Sequence, residues 1–310
     1  MVSLSLGLLL LLALLALLEA ASSHAQGSER SAELASTGRF ALAALQGELR
    51  QAGYRGYTAG SIHPPNPFSP PEQGCALPGL SVAAFLARLE EPVWGQDNAN
   101  PFSGAGNCLH AASYVPGTDV LVLRCLATVA ASGLAPGGVY FYSAYGQGQM
   151  FMAEAAARPP LWGPLPSQGL GLNAVFAVQV FVYYIGNSSS SDSHEPAVPG
   201  LWRLVLLADG HMERQLVASG VERMQLQYAL ASGGQLVFHD SLPSTPVGTC
   251  DVVSALATPV RAVRVWLLVR SARPEPGAHH AQSYAMGNQP YQVDDGYRRA
   301  LFSSTVVLRN

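Results

Sequence analysis

The chain opens with a run that carries no charge: Met1 to Leu18 reads MVSLSLGLLLLLALLALL, and the first ionisable side chain is Glu19. A helix built from this run is apolar on every face, which is not the pattern of a helix on the surface of a soluble domain. About 18 to 20 apolar residues, at roughly 1.5 Å rise each, are enough to cross a bilayer. A helix also satisfies its own backbone where no water can. The opening predicts either a retained membrane helix or a cleaved secretory signal. Ser23, His24 and Ala25 offer a cleavage site before Gln26. The absence of a basic n-region, and an apolar run beyond the usual 7–15 or so residues, favour retention.

The next segment continues the pattern. Ser28 to Tyr54 (SERSAELASTGRFALAALQGELRQAGY) has no proline and is rich in helix formers. Leu34, Ala41, Leu42, Leu45, Leu49 and Ala52 fall at helical spacings and form one apolar stripe, with Arg39, Gln46, Glu48 and Arg50 off it. Gly53 and Gly56 are stop signals, and Pro64 and Pro65 forbid continuation. The spacing predicts one rod about 80 Å long reaching Tyr54. Its apolar half would lie in lipid and its amphipathic half on a globular domain; Ala20 to Gly27 is the weakest stretch.

With 310 residues the chain allows one large domain or two small ones. Its 12% charged and 49% hydrophobic content excludes a disordered chain, which needs charge and little apolar surface to bury. A net charge of -3 gives no bulk electrostatic case for nucleic acid.

After Pro70 and Pro71, short β runs alternate with turn signals. Val120 to Cys125 and Val139 to Tyr145 are two such runs, and Phe176, Val178, Val180 and Val182 line one face of a third, ending at Tyr184. Leu201 to Leu207 and Met212 to Val217 flank Asp209 and Gly210, a hairpin signal. Met224, Leu226, Tyr228 and Leu230 alternate with polar neighbours, and Gly233 and Gly234 turn the chain into Gln235 to His239. Val263, Val265, Leu267 and Val269 alternate with Ala262, Arg264, Trp266 and Leu268; Phe302, Ser304, Val306 and Leu308 alternate in the last strand. This pattern indicates antiparallel strands with one packed face. The Leu34 to Leu49 stripe is the expected cover, giving an α+β fold in which one helix lies on an antiparallel sheet. Short helical turns are expected in Ser81 to Leu89, and exposed loops at Ser188 to Ser191 and Arg273 to Ala281.

Four cysteines, Cys75, Cys108, Cys125 and Cys250, permit two disulfides in an oxidising compartment, with three connectivities open. Unpaired buried thiols are one alternative; a metal site using Cys108 and His110 is another, but no C-x-x-C spacing supports it. H-E-x-x-H, G-x-S-x-G and the P-loop pattern do not occur. Gly169, Gly171 and Ala174 imitate a dinucleotide fingerprint but lie after Pro164 and Pro166 and before a β run, the wrong context. His279 and His280 read as loop residues, Asp294 and Asp295 as a turn, and Asp97 to Asn100 as a polar loop rather than a calcium site. Arg261, Arg264, Arg270, Arg273, Arg298 and Arg299 read as a solvated strand face with ion pairs. No catalytic, cofactor-binding or metal-binding residue is expected, nor an enzyme, a cofactor, a small-molecule substrate or a nucleic-acid partner.

Four blocks, in order, resemble PilW-type minor pilins of type IV pili: GRFALAALQGELRQAGYRGY (Gly38 to Tyr57), VASGVERMQLQYAL (Val217 to Leu230), VRAVRVWLLVRSARPEPG (Val260 to Gly277) and DGYRRALFSSTVVLRN (Asp295 to Asn310). The apolar opening resembles the membrane segment of that family. The resemblance implies a pilin-like architecture: an apolar helix over 1–20, an amphipathic continuation over 21–56 and a β-rich globular domain over 57–310. It also implies a minor pilin acting in type IV pilus assembly, held in the inner membrane by a single pass with its domain in the periplasm before incorporation into the pilus. Its partners would be other minor pilins and the major pilin, through the helix, and inner-membrane lipid. Such prepilins open with a basic leader, a cleavage glycine, a phenylalanine and an early glutamate; Met1 falls inside the corresponding apolar run and Glu19 is too late, so the expected start lies upstream. The alternatives are a minor pseudopilin of type II secretion, or a secreted β-rich binding protein or enzyme released after Ala25.

Overall fold

In a computed structural model, helix α1 runs unbroken over Val2–Gln51. Gly53, at φ +82°, takes the left-handed conformation that turns the chain out of the helix, which few other residues adopt cheaply. The structure describes residues 2–63, 74–75, 77, 80–102, 108–153, 173–187, 197–242, 260–275, 277 and 279–308, with side chains described only in part over residues 2–26 and not at Ser61, His63 and Ser232. Pro64, Pro65, Pro70, Pro71, Pro164, Pro166, Gly169, Gly171, the Ser188 to Ser191 loop and Cys250 lie outside the described residues.

Most of the remaining chain is strand. β1 (Ser61–His63), β2 (Val93–Gln96), β3 (Val120–Leu126), β4 (Val139–Ala144), β5 (Gln147–Met152), β6 (Asn173–Asn187), β7 (Pro199–Leu206) and β8 (Met212–Ser219) form the larger sheet. Its axis is β6, which pairs with β4 along its first residues, with β3 from Val178 and with β7 from Phe181. β7 and β8 make the hairpin marked by Asp209 and Gly210; the Asp209 carboxylate accepts the His211 amide at 3.0 Å. A second sheet has the order β10 (Gln235–His239), β9 (Val221–Ser232), β11 (Val260–Arg270) and β14 (Arg299–Val307). β12 (His280–Tyr284) and β13 (Tyr291–Asp295) form a separate two-stranded ribbon. A short helix, α2 (Val82–Leu86), is capped by Ser81, whose hydroxyl accepts the Ala84 amide at 3.1 Å.

Strand periodicity divides the interior into two cores. Leu121, Leu123, Tyr183 and Ile185 on one face of the larger sheet meet Leu226, Tyr228, Val263 and Val265 of the second sheet, with Leu34, Ala41, Leu45 and Leu49 of α1 filling the space between. Val120, Val122, Val180, Val182 and Phe141, on the opposite face, pack under Phe85, Leu86, Leu89 and Phe102 without any residue of α1.

This corrects the expected fold class. The chain is 46% strand and 19% helix in three sheets, so it is a β-rich domain rather than a pilin-like α+β fold with one helix on one antiparallel sheet. The physical reason is the second core: the larger sheet is buried on both faces, and strands and α2 supply the material that α1 cannot reach. The sheet is also not wholly antiparallel, since β1 runs parallel to β5. Nor is the expected membrane half upheld: among the described residues, no helix is long and apolar enough to cross a membrane.

Cys75 and Cys108 form a disulfide across a sequence separation of 33. Closing a loop of that size removes denatured-state entropy equivalent to about 3–4 kcal/mol. Reduction is therefore expected to lower the unfolding free energy by that order, read by urea titration with and without reductant. Leu45, fully buried, gives a second check: Leu45→Ala is expected to cost about 2–5 kcal/mol in the same titration.

Candidate interaction surface

The two halves of α1 do different things. From Leu34 onward the stripe is buried and polar residues beside it pin the helix. Glu48 accepts the Tyr183 hydroxyl at 2.5 Å and a guanidinium hydrogen bond from Arg203, which in turn donates to Gln215 at 3.0 and 3.2 Å. Burial raises the Glu48 pKa, opposed by Tyr183 and Arg203. On the other flank Gln46 donates to Ser304 at 2.7 Å. Gly38 lets the helix backbone meet the Phe302 ring; a Cβ there would come within 2.2 Å of it. Further up, Arg30 and Arg298 converge on Glu275 at 3.3 and 3.0 Å, and Arg298 also reaches Ser31 at 3.2 Å.

Before this clamp the helix projects. Leu11, Leu14, Leu15, Leu17 and Leu18 are 52–69% exposed. Phe40, at 60% exposure, stands over an open cleft of about 370 Å³ between α1 and the β8–β9 turn, lined by Leu34, Thr37, Ala218, Gly220 and Val269. Exposed leucines in this density are a surface that removes itself from water by contact with another apolar body.

The polar groups singled out in the sequence have local partners. Asp295 takes a bidentate pair from Arg299 at 2.6 and 2.8 Å, which holds its pKa down at about 2. The same guanidinium bonds Glu222 at 2.6 Å; burial works against its charge, but the two carboxylates outweigh burial and raise its pKa. Arg264 stacks on Phe238 and Trp266, and Arg270 stacks on Tyr297. Arg261 and Arg273 also have partners, so the late arginines form an ion-paired and stacked surface. His280 meets Glu275 at 3.2 Å, and His279 lies 3.8 Å from Asp294. Cys108 is in the disulfide, not a metal site with His110. Among the described residues no group of three or more His, Cys, Asp or Glu is placed to hold a metal ion.

The sequence leaves open whether a cysteine pairs or stays a buried thiol, and it does not mark two buried charges. Arg124 is fully buried, donates to the Phe85 and Glu91 carbonyls at 3.2 and 2.9 Å, and covers the Phe85 ring; desolvation lowers its pKa to about 10 against the pull of Glu91. Cys125 is a free thiol whose pKa burial, and then Glu48, push up to about 12, so it stays protonated and unreactive. Asp119 accepts the Asn98 and Leu226 amides at 3.0 and 2.7 Å. Desolvation, with Asp97 beside it, raises its pKa to about 7. Asp97 is tied in turn to Asn98 at 2.8 Å and to Asn288, between β12 and β13, at 3.0 Å.

The structure as a whole is a β-rich domain with a clamped, partly projecting helix, and its conspicuous unmatched chemistry is apolar side chain in water. Residues 182–310, which run from within β6 through the second sheet, match the family model of PilW, the type IV pilus-assembly protein W. Three of the four blocks that carry the sequence resemblance fall inside that range. No curated protein and no solved structure matches the chain.

Two outcomes follow. The folded pKa of Asp119 lies above the 3.8 or so of the unfolded chain, so its contribution to stability is complete below about pH 4 and is lost as pH rises through about 7. Glu48 shifts in the same direction, whereas Asp295 acts only below about pH 4. The urea midpoint is expected to fall between pH 5 and 8, with a flatter profile in Asp119→Asn. Arg203→Ala leaves the Glu48 carboxylate without its cation and is expected to cost about 2–4 kcal/mol, read as the change in unfolding free energy.

Proposed function

We propose that the protein is a minor pilin that takes part in type IV pilus assembly. It associates with the inner membrane with its β-rich domain in the periplasm, and then enters the pilus. The PilW-type region at 182–310 carries the reading. The exposed leucines of α1 support it, because an apolar helix surface loses its unfavourable hydration equally well against lipid or against like helices. Other minor pilins and the major pilin would be the partners on that surface. The clamp at Glu48, Arg203 and Glu275 supports a helix that transmits such contacts to the domain rather than trailing from it.

Co-isolation from membranes in mild detergent tests the proposal. The wild-type chain is expected to bring down other minor pilins, and Leu14→Arg with Leu18→Arg is expected to lose them while the urea midpoint of the domain is unchanged. A chain that stays alone in detergent, or a mature protein whose N-terminus is Gln26, overturns it.

A further inference from the structure

A second cleft, of about 410 Å³, opens between β9, the Pro116–Gly117 turn and the connection from β12 to β13. Pro116, Met286, Pro290 and the Tyr291 ring give it apolar walls, and its one charged lining residue is Arg223 of β9. Its volume falls in the range of small-ligand sites, which are apolar pockets with a few placed polar groups.

Arg223 is fixed from two sides. Its Nη1 donates to the Pro116 and Gly117 carbonyls at 2.7 and 3.3 Å, and its guanidinium lies over the Tyr291 ring, 4.4 Å from the centroid. Gly117 is at φ +74°, and a Cβ there would stand 3.2 Å from Nη1, so the turn leaves room for the guanidinium only as glycine. Arg203, Arg298 and Arg299 each meet a carboxylate; Arg223 has none among the described residues. Its second edge is unmet. Nε is buried without an acceptor, and Nη2 has no hydrogen-bond partner among the described residues. A buried donor left without an acceptor is costly and uncommon. Nε–H and one Nη2–H point the same way, and that fork accepts both oxygens of a carboxylate in parallel.

We propose that this cleft binds a carboxylate with a short apolar neighbour, held on the Nε–Nη2 edge of Arg223. Nη2 is the point of entry, and a small rotation of the guanidinium on the Tyr291 ring brings Nε into the pair. The hold on Nη1 and on the ring fixes a long side chain in advance, so less freedom is lost when the ligand binds. Gln289, exposed and without a side-chain partner among the described residues, adds a neutral amide donor from the β12–β13 connection. A single cation between apolar walls suits one negative charge on a planar group better than a phosphate. A peptide C-terminus and an acidic side chain share this chemistry. The inference does not depend on the pilus reading.

Titration of the full chain at low salt tests it, with N-acetylglycine as the terminal carboxylate and N-acetylglutamic acid α-amide as the side-chain carboxylate. N-acetylglycinamide is the uncharged control. The readout is the Arg223 Nε–H and Tyr291 ring signals by nuclear magnetic resonance. At least one carboxylate is expected to shift both signals saturably, and to bind about tenfold or more tightly than the control; the tighter one identifies the source. Arg223→Lys, which keeps the charge without the fork, is expected to weaken binding by about tenfold, and Arg223→Gln to abolish it, while the Val265 amide stays protected from exchange. Absence of a saturable shift with both carboxylates overturns the proposal. So does an equal affinity for the uncharged control, or binding unchanged in either variant. The comparison of carboxylate with amide uses the wild-type chain, so it decides the matter even where a variant fails to fold.

Discussion

Everything in this molecule is arranged around burial of the second half of α1 between two sheets. Leu34, Ala41, Leu45 and Leu49 have almost no contact with water, and they touch strands that are distant from one another in sequence. A helix this amphipathic is not stable by propensity alone; tertiary packing of its apolar stripe holds it. The polar residues beside the stripe set its position. Glu48 with Tyr183 and Arg203 fixes it to the larger sheet, while Gln46 with Ser304 and Gly38 against Phe302 fix it to the second. Hydrophobic burial has no direction of its own, so these few contacts decide the register in which the helix sits.

The same division of labour explains the rest of the polar interior. A fully buried Arg124 bridges β3 to the loop after α2, and Asp119 receives amides from two separate segments. Each satisfies backbone groups that the strands leave open, so these charges organise loops rather than chemistry. The late arginines behave alike: Arg299 between Glu222 and Asp295, Arg264 between two aromatic rings. A positive cluster in the sequence becomes, in space, a set of matched contacts.

What the sequence revealed depended on periodicity. Val263 to Val269 and Met224 to Leu230 alternate strictly and lie in β11 and β9; Asp209 and Gly210 mark the turn between β7 and β8. Leu34, Ala41, Leu45, Leu49 and Ala52 were legible as one stripe for the same reason. The short strands β1, β2 and β5 have no comparable signal, because β1 and β2 span only three and four residues and β5, GlnGlyGlnMetPheMet, does not alternate. Missing them hid the second packed face of the larger sheet and its parallel edge, and so made one helix on one antiparallel sheet look sufficient. The anchors were hidden for a different reason. Glu48 and Gln46 look like solvent-facing helix residues in one dimension, and only the strand brought alongside turns them into contacts. Asp119 lies just before β3 and Arg124 within it, where a charge has no period to betray it.

The helix near the beginning of the chain rests on the strand at its end: Gly38 meets Phe302, Gln46 meets Ser304, and Arg30 shares Glu275 with Arg298. Closing that seam joins segments more than 250 positions apart in sequence, so its loop-closure entropy far exceeds that of a hairpin such as β7 with β8, and the seating of α1 is expected to follow the local pairings rather than lead them.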